Sequence, residues 1–376
     1  MKHQRIAVSA FFFINGFTHA NWASRLPELQ TFLGISHSGL GSLLFVMACG
    51  ALFAMPFTGA LTARFGSHKV CQFTGILLAF VSASIALQNN LYVEGVIFMI
   101  TGFANGSMDV AMNEQAVLVE RAYQKPIMSS FHAFWSIGMA IGAGSGAIFA
   151  KAGIPLKVHM FVIAGFALIS FLWASNKLIK VQKAAEENKP PAFILPNSII
   201  APLGFIAFCG MLSEGSMIDW SAIYINEVVG SSKTISAISF GVFGAAMTLG
   251  RIFGDYFTLR LGKKKLLVID SILAIVGLSV VLLFPVMPIT TIGLFLIGIG
   301  LSTIVPIVYS TAGNTPGVSP GIGISMATTI GYSGFFIGPT SIGYLGDHYG
   351  LRIALVFTLV LLLLMFVLIL IQRFKA

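Results

Sequence analysis

The sequence predicts an all-α membrane protein, with twelve transmembrane helices arranged as two pseudo-symmetric six-helix bundles. Three observations predict it. Apolar residues make up 56% of the 376-residue chain and charged residues only 9%, against about 25% charged residues in a soluble domain. A single interior cannot hold that much apolar surface, so lipid must be the second solvent. The apolar residues also fall into span-length runs, and landmark peptides recur at a nearly constant offset along the two halves.

A spanning helix needs about 20 apolar residues. Breaking the chain at charges and at Pro, Gly and Asn clusters gives runs of roughly 6–31, 38–62, 70–88, 92–119, 127–150, 158–176, 198–226, 234–258, 266–285, 289–311, 321–345 and 351–371. The first continues past residue 25 without a small-residue cleavage site, so it reads as a helix and not as a removed signal peptide. Between the sixth and seventh runs lies KVQKAAEENKPP, too charged and proline-rich to span. The expected domains are therefore 1–176, a cytoplasmic linker 177–197, and 198–376.

The net charge of +9 would suit nucleic acid if it formed a patch. Here the cations sit in short loops. Lys2, Arg5, Arg64, Lys69, Arg121, Lys125, Arg260 and Lys263 to Lys265 share one set of alternating loops with the basic linker, while Arg25, Lys151, Lys157, Lys233 and Arg352 lie in the other set. The positive-inside rule then places both termini in the cytoplasm. The partners expected are the lipid bilayer and a small-molecule solute, with no nucleic acid. Cys49, Cys71 and Cys209 are too scattered for a disulfide framework or a metal site. No cofactor is expected beyond a coupling ion, H⁺, with Na⁺ held by one carboxylate and asparagine oxygens as the alternative.

The repeat is explicit. GALTARFGSHK (59–69) follows the second run and DYFTLRLGKKK (255–265) the eighth, with Arg64/Arg260 and Gly66/Gly262 both 196 residues apart. Gly146/Gly343 and Gly153/Gly350 are 197 apart, and NWAS (21–24) returns as DWSA (219–222) at 198.

GALTARFGSHK resembles the loop between the second and third helices of major facilitator transporters, Gly-x-x-x-Asp-Arg-x-Gly-Arg-Lys, and matches it at Gly59, Arg64, Gly66 and Lys69. Ala63 stands where that loop carries an acid, which removes the inner latch or moves it to Arg251 and Asp255 in GRIFGD (250–255). NWASRLPELQ (21–30), NGSMDVAMNEQAVLVER (105–121) and MSSFHAFWSIG (128–138) resemble the group of bacterial inner-membrane permeases that includes MosC and YbjJ. The resemblance implies a secondary transporter in the bacterial inner membrane, acting as a monomer on a small polar solute such as a sugar, cyclitol or amino-cyclitol. It also implies gating at Gly59, Arg64, Gly66, Arg251 and Asp255.

Ionisable groups at membrane depth cost about 2.5–3.5 kcal/mol on insertion scales, so each needs a reason. Asn105, Asp109 and Asn113 recur at i, i+4 and i+8 on one helical stripe, which either faces a cavity or seams a neighbouring helix. Glu114 and His132 lie equally far from the turn near Tyr123 and form a candidate proton site or a structural pair. Glu214 is the deeper acid of the seventh run, with Asp219 and Trp220 nearer its outer end. Asn15 and His19 are spaced i, i+4 in the first run, followed by Trp22, which reads as an interfacial anchor or an aromatic wall. Proton coupling is therefore expected from Asp109, Glu114, His132 and Glu214. Substrate contacts are expected from Asn15, His19, Trp22, Asn105, Asn113, Trp135, Asp219, Trp220, Ser310, Thr328 and Tyr332. At offset 196, Asn105, Asp109, Asn113 and His132 map to Leu301, Val305, Tyr309 and Thr328, none of which titrates near neutral pH.

Gly138, Gly142 and Gly146, and again Gly334 and Gly338, make small-residue ridges that suit close contact, within a bundle or between moving halves. An antiporter would use the same acids. A membrane enzyme would need a nucleophile with its base or a metal cluster, and Glu114 with His132 is the only hint of one.

Overall fold

The computed structural model describes residues 1–180, 195–372 and 374, without the side chains of residues 37, 38, 233, 234, 237 and 339. Most of the expected linker, with Lys183 and Lys189, lies outside the described residues, as do Arg373 and Lys375.

The described chain is built from helices: α1 (Lys2–Ala23), α2 (Leu26–Leu33), α3 (His37–Phe65), α4 (Ser67–Ser84), α5 (Leu91–Tyr123), α6 (Met128–Lys151), α7 (Leu156–Ser175), α8 (Ala201–Glu227), α9 (Lys233–Leu261), α10 (Lys263–Leu283), α11 (Ile289–Leu301), α12 (Ile304–Gly313), α13 (Pro320–Tyr349) and α14 (Leu351–Ile371). Each expected run lies on helix, with two corrections. The first run breaks at Ser24–Arg25, because Pro27 belongs at the start of a new helix, α2. The tenth run breaks at Ser302–Thr303, because Pro306 has no N–H for the Ser302 carbonyl four residues back.

Eight spans among the described residues are long and apolar enough to cross a membrane by length and composition, with Ile289–Gly313 taken as one. The helices α1, α4, α9 and α13 are not among them. In α1 the apolar run is diluted by Asn15, His19 and Asn21, and α4 opens on Ser67, His68 and Lys69.

The internal repeat is a repeat of structure. The side chain of Ser36 accepts from the Gly39 N–H at the start of α3, and that of Ser232 accepts from the Ile235 N–H at the start of α9, 196 residues on. Both helices run 29 residues. They stop at Gly66 (φ 86°, ψ 138°) and Gly262 (φ 79°, ψ 154°), a backbone conformation open essentially to glycine alone. Packing repeats too: α3 and α4 both pack on α5 and α4 on α7, as α9 and α10 pack on α11 and α10 on α14.

Backbone proximity gives two compact units. One comprises Met1–Gln124, Phe131–Leu195 and Gly313–Ser325, and the other Lys125–Ser130, Pro196–Ala312 and Met326–Ala376.

The glycine ridges belong inside the units. A Cβ at Gly138 or Gly142 would lie 2.2 or 2.4 Å from the carbonyl oxygen of Phe13 or Phe17, so α6 presses its ridge onto the backbone of α1. A Cβ at Gly334 would lie 2.6 Å from the Phe208 carbonyl on α8, the same relation in the other unit. Of the two readings of these ridges, close helix approach within a bundle is the one these contacts carry.

Candidate functional site

Helices α1, α5 and α6 bring the polar residues of the first unit into one layer. The 33-residue α5 starts on Asn90, whose side chain accepts from the N–H groups of Tyr92 and Val93. Its polar stripe meets α1 and α6 one side chain at a time. Asn15 of α1 donates to Asn105 Oδ1 at 2.9 Å and accepts at Oδ1 from the Trp135 indole N–H of α6 at 3.0 Å. Its amide also lies 3.4 Å from the sulfur of Met108. One turn further along, Asn113 donates to the Asp109 carbonyl at 2.9 Å and to the Asp109 carboxylate at 3.3 Å. His132 Nε2 lies 3.2 Å from Asn113 Oδ1, so that nitrogen carries the proton. Phe12 of α1 packs edge-on against the His132 ring at 5.2 Å.

Asp109, Asn113, His132 and Asn15 are buried, while Asn105 and Trp135 are half-buried. A carboxylate, an imidazole, three amides and an indole N–H thus offer donors and acceptors that a hydroxylated solute could share. The same carboxylate can take up a proton.

The expected Glu114–His132 pair does not form. Residues 113 and 114 point about 100° apart on a helix, and His132 takes Asn113. Glu114 turns instead toward Thr62 and Ser67 at the junction of α3 and α4, and toward Gly321 in the first turn of α13, where a Cβ would sit 2.1 Å from its Oε2. Its neighbour Gln115 donates to Ser67 Oγ and to the Ile179 carbonyl, and receives the Ile179 N–H. Trp22 is 4% exposed, within an apolar cluster with Leu29, Leu33, Leu43 and Phe98, edge-on to half-buried His19 at 4.7 Å. That burial corrects the interfacial-anchor reading of Trp22.

In the second unit Glu214 of α8 is paired with Arg251 of α9 at 3.2 Å, both side chains largely buried. A residue expected to carry protons and one expected to gate are therefore partners. Asp255 accepts from the N–H groups of Ser129 and Ser130 at 2.8 and 2.9 Å and so caps the first turn of α6. Gly59 has Ser325 and Ile322 of α13 against its Cα. Arg64 is exposed in the last turn of α3, where a cation complements the helix dipole. Asp219 is exposed, and the ring of Trp220 lies over Gly343. Ser310 and Thr328 are buried, and Tyr332 meets Phe335 edge-on at 6.0 Å.

Residues 7–339 match the profile of the Major Facilitator Superfamily. The chain belongs to that superfamily. Over 352 residues it is 34% identical to an uncharacterised transporter of this superfamily from Yersinia pestis, covering 93% of this chain and 91% of the relative. It is 29% identical to the membrane protein MosC of Rhizobium meliloti over 351 residues, 93% and 86% of the two chains. The crystal structure of the Escherichia coli fucose:proton symporter FucP superposes with a TM-score of 0.80 at 14% identity, covering 98% of each chain. As a superfamily member the protein is a multi-pass membrane transporter.

Two of the buried polar groups that sequence reasoning missed are His159 and Asp270. His159 of α7 is fully buried, its Nε2 at 2.9 Å from Asn21 Oδ1 and its Nδ1 at 3.3 Å from the Arg25 guanidinium. Arg25 is ion-paired with Glu28, three residues on, and also donates to the Ile154 carbonyl at 2.9 Å. The cluster ties α1, α2, α6 and α7 together at one end of the unit. Asp270 of α10 is the second, 4% exposed and bonded by the Thr303 hydroxyl. An acid at the fifth position of the apolar run 266–285 was its visible signal.

Proposed function

We propose that the protein is a proton-coupled secondary transporter that moves a small polar organic solute, of sugar, cyclitol or amino-cyclitol type, across the bacterial inner membrane by alternating access. The observation that carries this reading is the layer Asn15–Asn105–Trp135 beside Asp109–Asn113–His132, polar groups inside span-length helices where each would be costly against lipid. Asp109 is the proton carrier of this proposal. Asn113 follows its charge by donating to the carboxylate, and relays it to His132 through its other amide atom. Asn105 and Trp135 are the more accessible members and take the solute hydroxyls. A solved protein of the same fold is named as a fucose:proton symporter, which agrees with both parts of the reading.

The test is solute-driven proton movement. Purified protein is reconstituted in liposomes with an internal pH dye and challenged with sugars, cyclitols, amino-cyclitols and cationic drugs. The reading expects a solute-dependent acidification with at least one polar solute. Alkalinisation on adding a solute would instead make the protein an antiporter using the same carboxylate. Silence of the dye together with flat radiolabelled uptake across the panel would contradict the reading.

A further inference from the structure

The second unit holds a different polar site, and the internal repeat shows how it arose. At offset 196, Thr58, Thr74 and Ser107 of the first unit correspond to Gly254, Asp270 and Thr303. In the first unit the Thr58 hydroxyl donates to Ser107 Oγ at 3.0 Å, the Thr74 hydroxyl turns back to the Val70 carbonyl, and α5 runs unbroken through the site. In the second unit glycine replaces Thr58, an acid replaces Thr74, and the helix breaks between α11 and α12 at Ser302–Thr303. With no partner at Gly254, the Thr303 hydroxyl donates to Asp270. A cavity of about 100 Å³ lies there, lined by these groups, Ser302 and apolar side chains such as Phe253, Phe257 and Leu266.

The chemistry of the lining is one-sided. Thr303 has spent its proton on Asp270, and Ser302 donates its own to the Ile299 carbonyl at 2.6 Å. Both hydroxyls therefore offer lone pairs elsewhere. Pro306 cannot supply the N–H that the Ser302 carbonyl would take in a continuous helix. The site holds one carboxylate, two hydroxyl oxygens and an under-used carbonyl. Among the described residues no cationic side chain meets Asp270. An all-oxygen acceptor set with a single negative charge, at a helix break inside apolar walls, fits a small hard monovalent cation. Two or more charges would be under-neutralised by one acid.

We propose that Asp270, Thr303 and Ser302 form a sodium-binding site in the second unit, separate from the Asp109 layer.

The experiment is equilibrium binding of radioactive sodium to the purified full chain in nanodiscs, with the ionic strength held by N-methyl-D-glucamine. Wild type is expected to bind saturably near one ion per chain. Asp270→Asn, which keeps size and an acceptor for Thr303, should lower binding at least ten-fold, and Thr303→Val and Ser302→Ala should each lower it several-fold. Asp109→Asn should bind as wild type does. Size-exclusion profiles check folding, and if Asp270→Asn fails to fold, Thr303→Val and Ser302→Ala decide alone. Absence of saturable sodium binding to wild type, as a proton-only site would give, overturns the proposal. So does unchanged binding in the well-folded variants. Because binding needs no solute, either result stands apart from the transport assay.

Discussion

His132 is hydrogen-bonded to Asn113, at 3.2 Å, and not to the neighbouring acid Glu114. One residue of helix separates two destinies. Asn113 looks into the layer shared by α1, α5 and α6, and Glu114 looks toward α3, α4 and the first turn of α13. The first carries the proposed solute and proton chemistry, and the second belongs to the framework around the glycine-ended loop.

Trp135→Phe keeps the ring and removes the N–H that Asn15 accepts. A neutral hydrogen bond is worth about 1 kcal/mol, so a contact of that size shared with solute corresponds to a roughly five-fold rise in the transport KM. Fluxes measured against solute concentration should show that rise with little change in maximal rate. An unchanged KM would remove Trp135 from the solute site.

Arg251→Met takes the ion pair from the largely buried Glu214 carboxylate, at a cost of about 3–5 kcal/mol, and Glu214→Gln takes the same ion pair from Arg251. Replacing both at once, Glu214→Gln with Arg251→Met, removes both charges of the pair and should cost less than the sum of the two single losses. Thermal unfolding of the three variants in detergent tests this. Additive losses in the double variant would mean that the two residues are not energetically coupled.

Gly142→Val places a branched side chain where a Cβ alone would be 2.4 Å from the Phe17 carbonyl. Overpacking of this kind costs about 1–3 kcal/mol or more. Gly144, two residues away on the same helix, has nothing within 4 Å of its Cβ position, so Gly144→Val is the matched control. The first should lose monodisperse protein on size exclusion and the second should not. Equal behaviour would mean that α6 is not pressed onto α1 as described.

Gly66→Ala and Gly262→Ala should each destabilise by about 1–3 kcal/mol, since alanine is strained at φ near +80°. The losses should be of similar size if the two loops are one motif used twice. Thermal unfolding of both variants reads this directly.

The fold was legible because its signals are collective. Span-length apolar runs average over many residues, and Arg64/Arg260 with Gly66/Gly262 fix a repeat that the capping serines Ser36 and Ser232 then extend. The stripe Asn105–Asp109–Asn113 was legible because helical spacing alone puts it on one face. What spacing cannot supply is the neighbour. Glu114 and His132 share a depth but face different ways, Glu214 was read alone because Arg251 sits on another helix, and Trp22 needed its burial to be known. His159 and Asp270 were missed because a single polar residue in an apolar run does not show what meets it. The break in the tenth run was missed because a lone Pro306 does not interrupt the hydropathy of the run around it.

The most direct test of the central claim compares wild type and Asp109→Asn in liposomes, with proton entry and radiolabelled solute exchange followed on the same preparation. The variant, with its charge gone and the Asn113 bond still possible, should lose solute-driven acidification by at least ten-fold while retaining solute exchange. Proton entry equal to wild type in a well-folded Asp109→Asn protein would contradict it and take the coupling away from α5.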